Sequence, residues 1–132
     1  MKPFNELPKL LSAPDFHWCN HTFENEHRHD DNVIEGFNTL VVDVDGGISL
    51  KDCHELLKDY TFITSTTKRH TEKENRFRLI MPTNYCLNLD KEDYREFMNS
   101  FLLWLPFDSD QSANQRSKKW MTNENTDIVL HE

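Results

Sequence analysis

The chain has no apolar run approaching the roughly 20 residues that a membrane-spanning helix requires. Its amino terminus lacks a basic segment followed by an apolar one, the mark of a secretory signal. A soluble, cytoplasmic protein without membrane partners is therefore expected. Cysteine is sparse: Cys19, Cys53 and Cys86 are odd in number and widely spaced. That spacing forms neither a disulfide framework nor a CxxC zinc pair, so the expectation is three reduced thiols. Apolar residues make up only 36% of the chain, but aromatic content is 11%, which suits a small folded domain with a polar surface better than disorder. At 132 residues there is room for one core, and a single domain over residues 1–132 is expected.

A basic excess is missing too. The formal net charge is -8, which on its own argues against a nucleic-acid partner. The distribution qualifies the sum. Lys68, Arg69, Lys73, Arg76 and Arg78 fall within eleven positions, and Arg116, Lys118 and Lys119 within four, so over half of the 15 Lys and Arg lie in two short segments. Such a run is often only a solvated face. Here the first cluster is interleaved with a strand pattern.

What is present centres on Thr39 to Pro82. Leu40-Val41-Val42 opens a β-branched run from Asn38 that ends in Asp43 and Asp45, followed by Gly46-Gly47. In a strand, residues two apart point to the same face, so Asp43 and Asp45 project together with Val44 opposite. Paired carboxylates repel unless a positive charge lies between them, and a hard divalent cation such as Mg2+ or Mn2+ supplies one. Asp and Gly are also turn residues, so DxDGG alone equally describes a hairpin turn.

Ser49 is a suitable N-cap for a helix over Leu50 to Asp59, with Leu50, Cys53, Leu56 and Leu57 on one face. A second strand is expected over Tyr60 to Thr67, running into Lys68-Arg69-His70, and a third from Arg76 to Met81, stopping at Pro82. Strand, helix and strand in this compass imply a crossover joining two strands of one sheet. In the third strand Phe77, Leu79 and Met81 face one way, which places Arg76 and Arg78 together on the other face, as a two-residue phosphate clamp would need.

The flanks are plainer. Glu6 to Leu11 suggests a short helix and Asp15 to Phe23 a strand. The polar stretch holding His21, His27 and His29, with His17 and Cys19 upstream, matches no zinc spacing and suggests a loop. Asp90 caps a helix from Lys91 to Leu105 whose stripe of Tyr94, Phe97, Met98, Phe101, Leu102 and Leu105 is core. After Pro106 come Asp108, Asp110, a polar and helix-compatible piece from Gln111 to Lys119, Trp120, and an edge strand over Asp127 to Leu130.

Three pieces of this chain resemble motifs of the archaeo-eukaryotic primase superfamily, in particular its phage and plasmid primase-polymerases. VVDVDGG is similar to the first motif, TTKRHTEKENRFRLIMP to the second, and LPFDSDQSANQRSKKW to the third. The resemblance covers Val33 to Trp120. It implies an α+β, RRM-like catalytic domain, with a mainly antiparallel sheet and helices on one face. It implies Asp43, Asp45 and Asp110 as ligands of Mg2+ or Mn2+, with Asp108 the rival third acid. It further implies His70 as a contact to nucleotide phosphates, and Lys68, Arg69, Arg76, Arg78 and Lys118 as phosphate or template contacts. Arg69 stands where many relatives have a small Ser. The implied activity joins nucleoside triphosphates on a single-stranded DNA template during phage or plasmid replication, in the host cytoplasm and alongside a separate helicase or primase subunit. A catalytically reduced derivative that binds nucleotide or single-stranded DNA, as a regulator or a viral counter-defence protein, is the alternative. The HxH of His27-Arg28-His29 also suggests a rolling-circle endonuclease, but none of Tyr60, Tyr85 or Tyr94 has a lysine three residues on.

Overall fold

A computed structural model describes residues 4–13, 17–20, 36–116, 118–123 and 125–132. The order of elements is a 3-10 turn (Phe4–Glu6), α1 (Leu7–Leu11), β1 (His17–Trp18), β2 (Phe37–Asp45), α2 (Leu50–Leu56), β3 (Phe62–Thr66), β4 (Arg76–Leu87), α3 (Lys91–Trp104), a second 3-10 turn (Gln111–Asn114), β5 (Trp120–Met121) and β6 (Ile128–His131). The fold is α+β. Its main sheet has four strands in the order β2-β4-β3-β6, every neighbouring pair antiparallel, and β1 pairs with β5 in a separate ribbon.

The crossover expected from strand, helix and strand is present. β2 and β3 flank β4, α2 connects them, and the third strand enters between the first two, an arrangement known as a split βαβ. Both helix caps form as the sequence suggests: Ser49 accepts from the Asp52 N–H at 3.1 Å and Asp90 from the Asp93 N–H at 2.8 Å.

Period-2 alternation divides the sheet into two faces. Leu40, Val42 and Val44 of β2, Phe77, Leu79 and Met81 of β4, and Phe62 of β3 build one core with Cys53 and Leu57 from the α2 region and Tyr94, Met98, Leu102 and Leu105 from the α3 region. Burial pushes the Cys53 thiol up to about 12, which makes it an inert packing group. All three cysteines are free, as expected.

The expectation that helices cover one face only is corrected. Val41, Ile63 and Ile80 make the opposite face apolar at one end, and Leu11 of α1 and Trp120 of β5 bury them in a second core. Trp18 and Trp120 pack with tilted rings in the ribbon, at 5.4 Å between ring centres. Apolar side chains on both faces of a sheet require cover on both.

Other expected boundaries also shift. β4 continues beyond Pro82 to Leu87. Pro82 pairs with Thr39, after which the register jumps to Phe37 opposite Leu87, and a proline is tolerated beside such an irregularity. Leu56 is 52% exposed, because the buried stripe of α2 runs through Cys53 to Leu57 and Leu56 lies beside it. Of the piece from Gln111 to Lys119, only Gln111–Asn114 is helical, as a 3-10 turn. The last strand begins at Ile128 and pairs with β3. Of the strand expected over Asp15 to Phe23, His17–Trp18 is present; His21, His27 and His29 lie outside the described residues. Among the described residues no helix is long and apolar enough to cross a membrane.

Candidate functional site

The second face of the sheet changes character along its length. Val41 lies opposite Ile80, Asp43 opposite Arg78, and Asp45 opposite Arg76. The apolar end is covered by α1 and the ribbon, and the charged end opens into a cleft. Two acid–base pairs thus face each other across adjacent strands, where Cβ atoms are close enough for direct pairing.

The inner pair is tight. Arg78 Nε donates to Asp43 Oδ1 at 2.7 Å and Nη2 to Oδ2 at 3.4 Å, while Nη1 donates to the Met121 carbonyl at 2.9 Å. The two side chains are only 11% and 18% exposed. The outer pair is loose: Arg76 Nη1 stands 3.8 Å from Asp45 Oδ1, and its Nη2 donates to Glu74 Oε1 at 3.0 Å. Asp45 is 52% exposed.

Two loops hold the charged end in place. After Asp45 the chain turns through Gly46 and Gly47 at φ of 88° and 83°, a conformation that glycine adopts without a Cβ penalty. Asn75 links this turn to the basic loop: its carbonyl accepts from the Gly46 N–H at 3.0 Å and its side-chain Oδ1 from the Leu50 N–H at 2.8 Å. The basic loop turns back at the His70 N–H, which donates to the Thr67 carbonyl at 3.0 Å. His70 Nδ1 accepts from the Arg76 N–H at 3.1 Å. In the neutral ring this puts the proton on Nε2 and makes that nitrogen a donor.

Asp43, Asp45, Lys68, Arg69 and Arg78 line one cleft of about 300 Å³ together with Met121, Thr122 and Asn123. Residues from two strands, the basic loop and the segment after β5 therefore meet. His70 lines an adjoining cavity of about 250 Å³ with Asn123, Asn125 and Asp127.

Asp110, Arg76 and Lys118 do not line the cleft. The Asp110 N–H donates to the Asp43 carbonyl at 2.8 Å, so its backbone docks on the edge of β2. The Asp110 carboxylate caps the 3-10 turn, accepting from the Ser112 N–H at 2.9 Å, and Lys118 Nζ donates to Ser112 Oγ at 2.9 Å. Asp108 is exposed. Of the two rival acids, Asp110 is thus the one tied to Asp43, through its main chain. Trp120 is buried in the second core and offers no open ring.

Among the described residues no group of three or more His, Cys, Asp or Glu is placed to hold a metal ion. Asp43 and Asp45 still fit Mg2+ or Mn2+ in donor type and in sharing a face, since Mg2+ is commonly held by one or two carboxylates with substrate phosphates and water completing its shell.

Sequence reasoning missed Asn75, Asn123, Asn125 and Asp127. Asn75 lies inside the second motif, but nothing local marks it as the bond between the basic loop and the glycine turn. The last three sit in a polar segment with no motif, and only the return of the chain to β3 brings them to the site.

No protein-family model, curated protein or solved structure matches the chain.

Proposed function

We propose that this protein is a primase-polymerase-like nucleotidyltransferase domain that binds nucleoside triphosphates and single-stranded DNA in the cleft beside Asp43. The observation that carries the reading is the meeting of Asp43 and Asp45 with Lys68, Arg69 and Arg78 in one cleft. Hard oxygen donors beside several cations suit a polyphosphate and its counter-ion.

In this reading Asp43 and Asp45 hold Mg2+ or Mn2+, which when bound neutralises triphosphate charge and favours attack by a hydroxyl. Lys68 and Arg69 bind and orient the phosphates. His70 offers an Nε2–H donor whose orientation is set by the Arg76 main chain. Arg78 holds the Asp43 carboxylate in place and ties it to the strand at Met121. The RRM-like character of the sheet, the helicase or primase partner and the phage or plasmid setting belong to the same reading.

The test is primer synthesis and extension on single-stranded DNA with Mn2+, using labelled ribo- and deoxynucleotides, beside Asp43→Ala/Asp45→Ala. Product from the wild type that the double variant fails to make supports the reading. Activity surviving in the double variant sinks it.

A second reading has its own observation. Arg78 already neutralises Asp43, and the Asp110 carboxylate is engaged at its cap. A site with this balance of charge can bind nucleotide or single-stranded DNA without joining anything. Nucleotide binding that the double variant loses, with no incorporation on any template, selects that reading.

A further inference from the structure

Beside the charged cleft lies a cavity of different chemistry. It is lined by His70, Asn123, Asn125 and Asp127, and it shares Thr66, Thr67, Lys68 and Asn123 with the cleft, so the two form one groove. Taken alone, the cleft at about 300 Å³ and the cavity at about 250 Å³ lie at or below the lower end of small-molecule sites, which run from about 300 to 1,000 Å³. Joined, they accommodate a ligand with a charged end and a neutral, hydroxyl-rich end.

The groups that line the cavity are partly bonded to one another and still present polar atoms to it. The His70 ring presents Nε2–H, because Nδ1 is occupied by the Arg76 N–H. Asn123 Oδ1 accepts from the Asn125 N–H at 3.1 Å, which leaves the Asn123 amide NH2 as a donor. The Asp127 carboxylate is exposed and makes no ion pair with any described residue. Its backbone is nonetheless fixed on both sides of the Cα: the Asp127 N–H donates to Thr66 Oγ1 at 2.8 Å, and its carbonyl accepts from the Thr66 N–H at 3.1 Å. A carboxylate whose backbone is tied to β3, beside amide donors, is the arrangement that takes the vicinal hydroxyls of a ribose.

We propose that this cavity is the sugar subsite of the groove, with Asp127 accepting from the 2′-hydroxyl of a ribonucleotide whose phosphates lie on Lys68 and Arg69. The inference rests on the nucleotide reading above and adds the preference for ribose. Deoxyribose cannot make that bond, and a hydrogen bond to a charged acceptor is worth about tenfold in affinity.

The experiment measures binding of ATP, dATP and inorganic tripolyphosphate, each with Mn2+, to the full chain by calorimetry. Wild type, Asp127→Ala, Asn125→Ala and Lys68→Ala are compared. The wild type should bind ATP about tenfold more tightly than dATP. Asp127→Ala should bring the two together by weakening ATP alone, and it leaves both backbone bonds to Thr66 intact. Asn125→Ala should weaken both nucleotides but not tripolyphosphate, and Lys68→Ala should weaken all three. Equal affinity for ATP and dATP in the wild type, or a preference that survives in Asp127→Ala, overturns the sugar subsite; if tripolyphosphate still binds, the charged cleft stands. If none of the three binds, both readings fall.

Discussion

Arg78 grips Asp43 through two bonds, at 2.7 and 3.4 Å, and reaches the Met121 carbonyl with its remaining nitrogen. One guanidinium thus joins β2, β4 and β5 around the acid that leads the DxD pair. An arginine fork suits this task because its donors are planar and fixed.

Removing that fork should destabilise the protein. Arg78→Ala leaves Asp43, 18% exposed, without its counter-charge and the Met121 carbonyl without its donor. A loss of about 1–3 kcal/mol in denaturant unfolding is expected, with Arg78→Lys in between because it keeps the charge but not the fork. An Arg78→Ala protein as stable as wild type would show that the pair is not structural.

Asp110 is expected to separate cap from charge. Asp110→Asn keeps a side-chain oxygen for the Ser112 N–H and should unfold within about 0.5 kcal/mol of wild type, whereas Asp110→Ala should lose about 1 kcal/mol. Synthesis lost in a normally stable Asp110→Asn would therefore report the carboxylate itself and not the turn. Equal stability losses in the two variants would contradict the cap.

The turn after the acids makes a backbone prediction. A Cβ on Gly47 would meet nothing within 4 Å, so Gly47→Ala tests conformation alone at φ +83°. A loss of about 1 kcal/mol is expected, smaller for Gly47→Asn, which tolerates left-handed backbone better. Gly46→Ala should cost more, because its Cβ would come to 2.9 Å from Glu74 Oε1, the oxygen that receives Arg76. Unfolding curves of the three variants check the ranking.

His54 should make stability depend on pH. Its ring stacks on Phe62 at 5.3 Å, Phe62 stacks on His131 at 4.8 Å, and His54 Nε2 is 2.8 Å from Thr64 Oγ1. Burial, and secondarily repulsion from His131, lowers its pKa below the ordinary value of about 6.5. The unfolded chain therefore binds a proton that the native state resists, so this stability is complete above about pH 6.5 and is lost as pH falls toward the lowered native value. The fall in Tm between pH 7.5 and pH 5.5 should be smaller in His54→Gln. An identical fall in both proteins would rule His54 out as its source.

Local pattern made much of this molecule legible. Alternation in β2 and β4 sorted Asp43, Asp45, Arg76 and Arg78 onto a face away from Val44, Phe77 and Leu79, because a strand's period is short and admits one division. Ser49 and Asp90 marked helix starts for an equally local reason, since an N-cap bonds within its own turn. Less legible was whatever depends on a partner far along the chain. The extension of β4 past Pro82 depends on the register it keeps with Thr39 and then gives up, and Leu56 and Leu57 look alike until α2 is set on the sheet.

The residues alone determined the succession of strands and capped helices, and the pairing of the two acids on one face and of the two arginines on another stretch of strand. Tertiary structure decided the rest. The register of β2 on β4 brought Asp43 to Arg78 and left Asp45 loosely paired. The docking of Asp110 on the β2 edge turned its side chain to a cap, and the return of the chain after β5 brought Asn123, Asn125 and Asp127 beside His70. Periodicity acts over a few residues, whereas these juxtapositions depend on how strands and loops distant in sequence align once two apolar faces of the sheet have been covered.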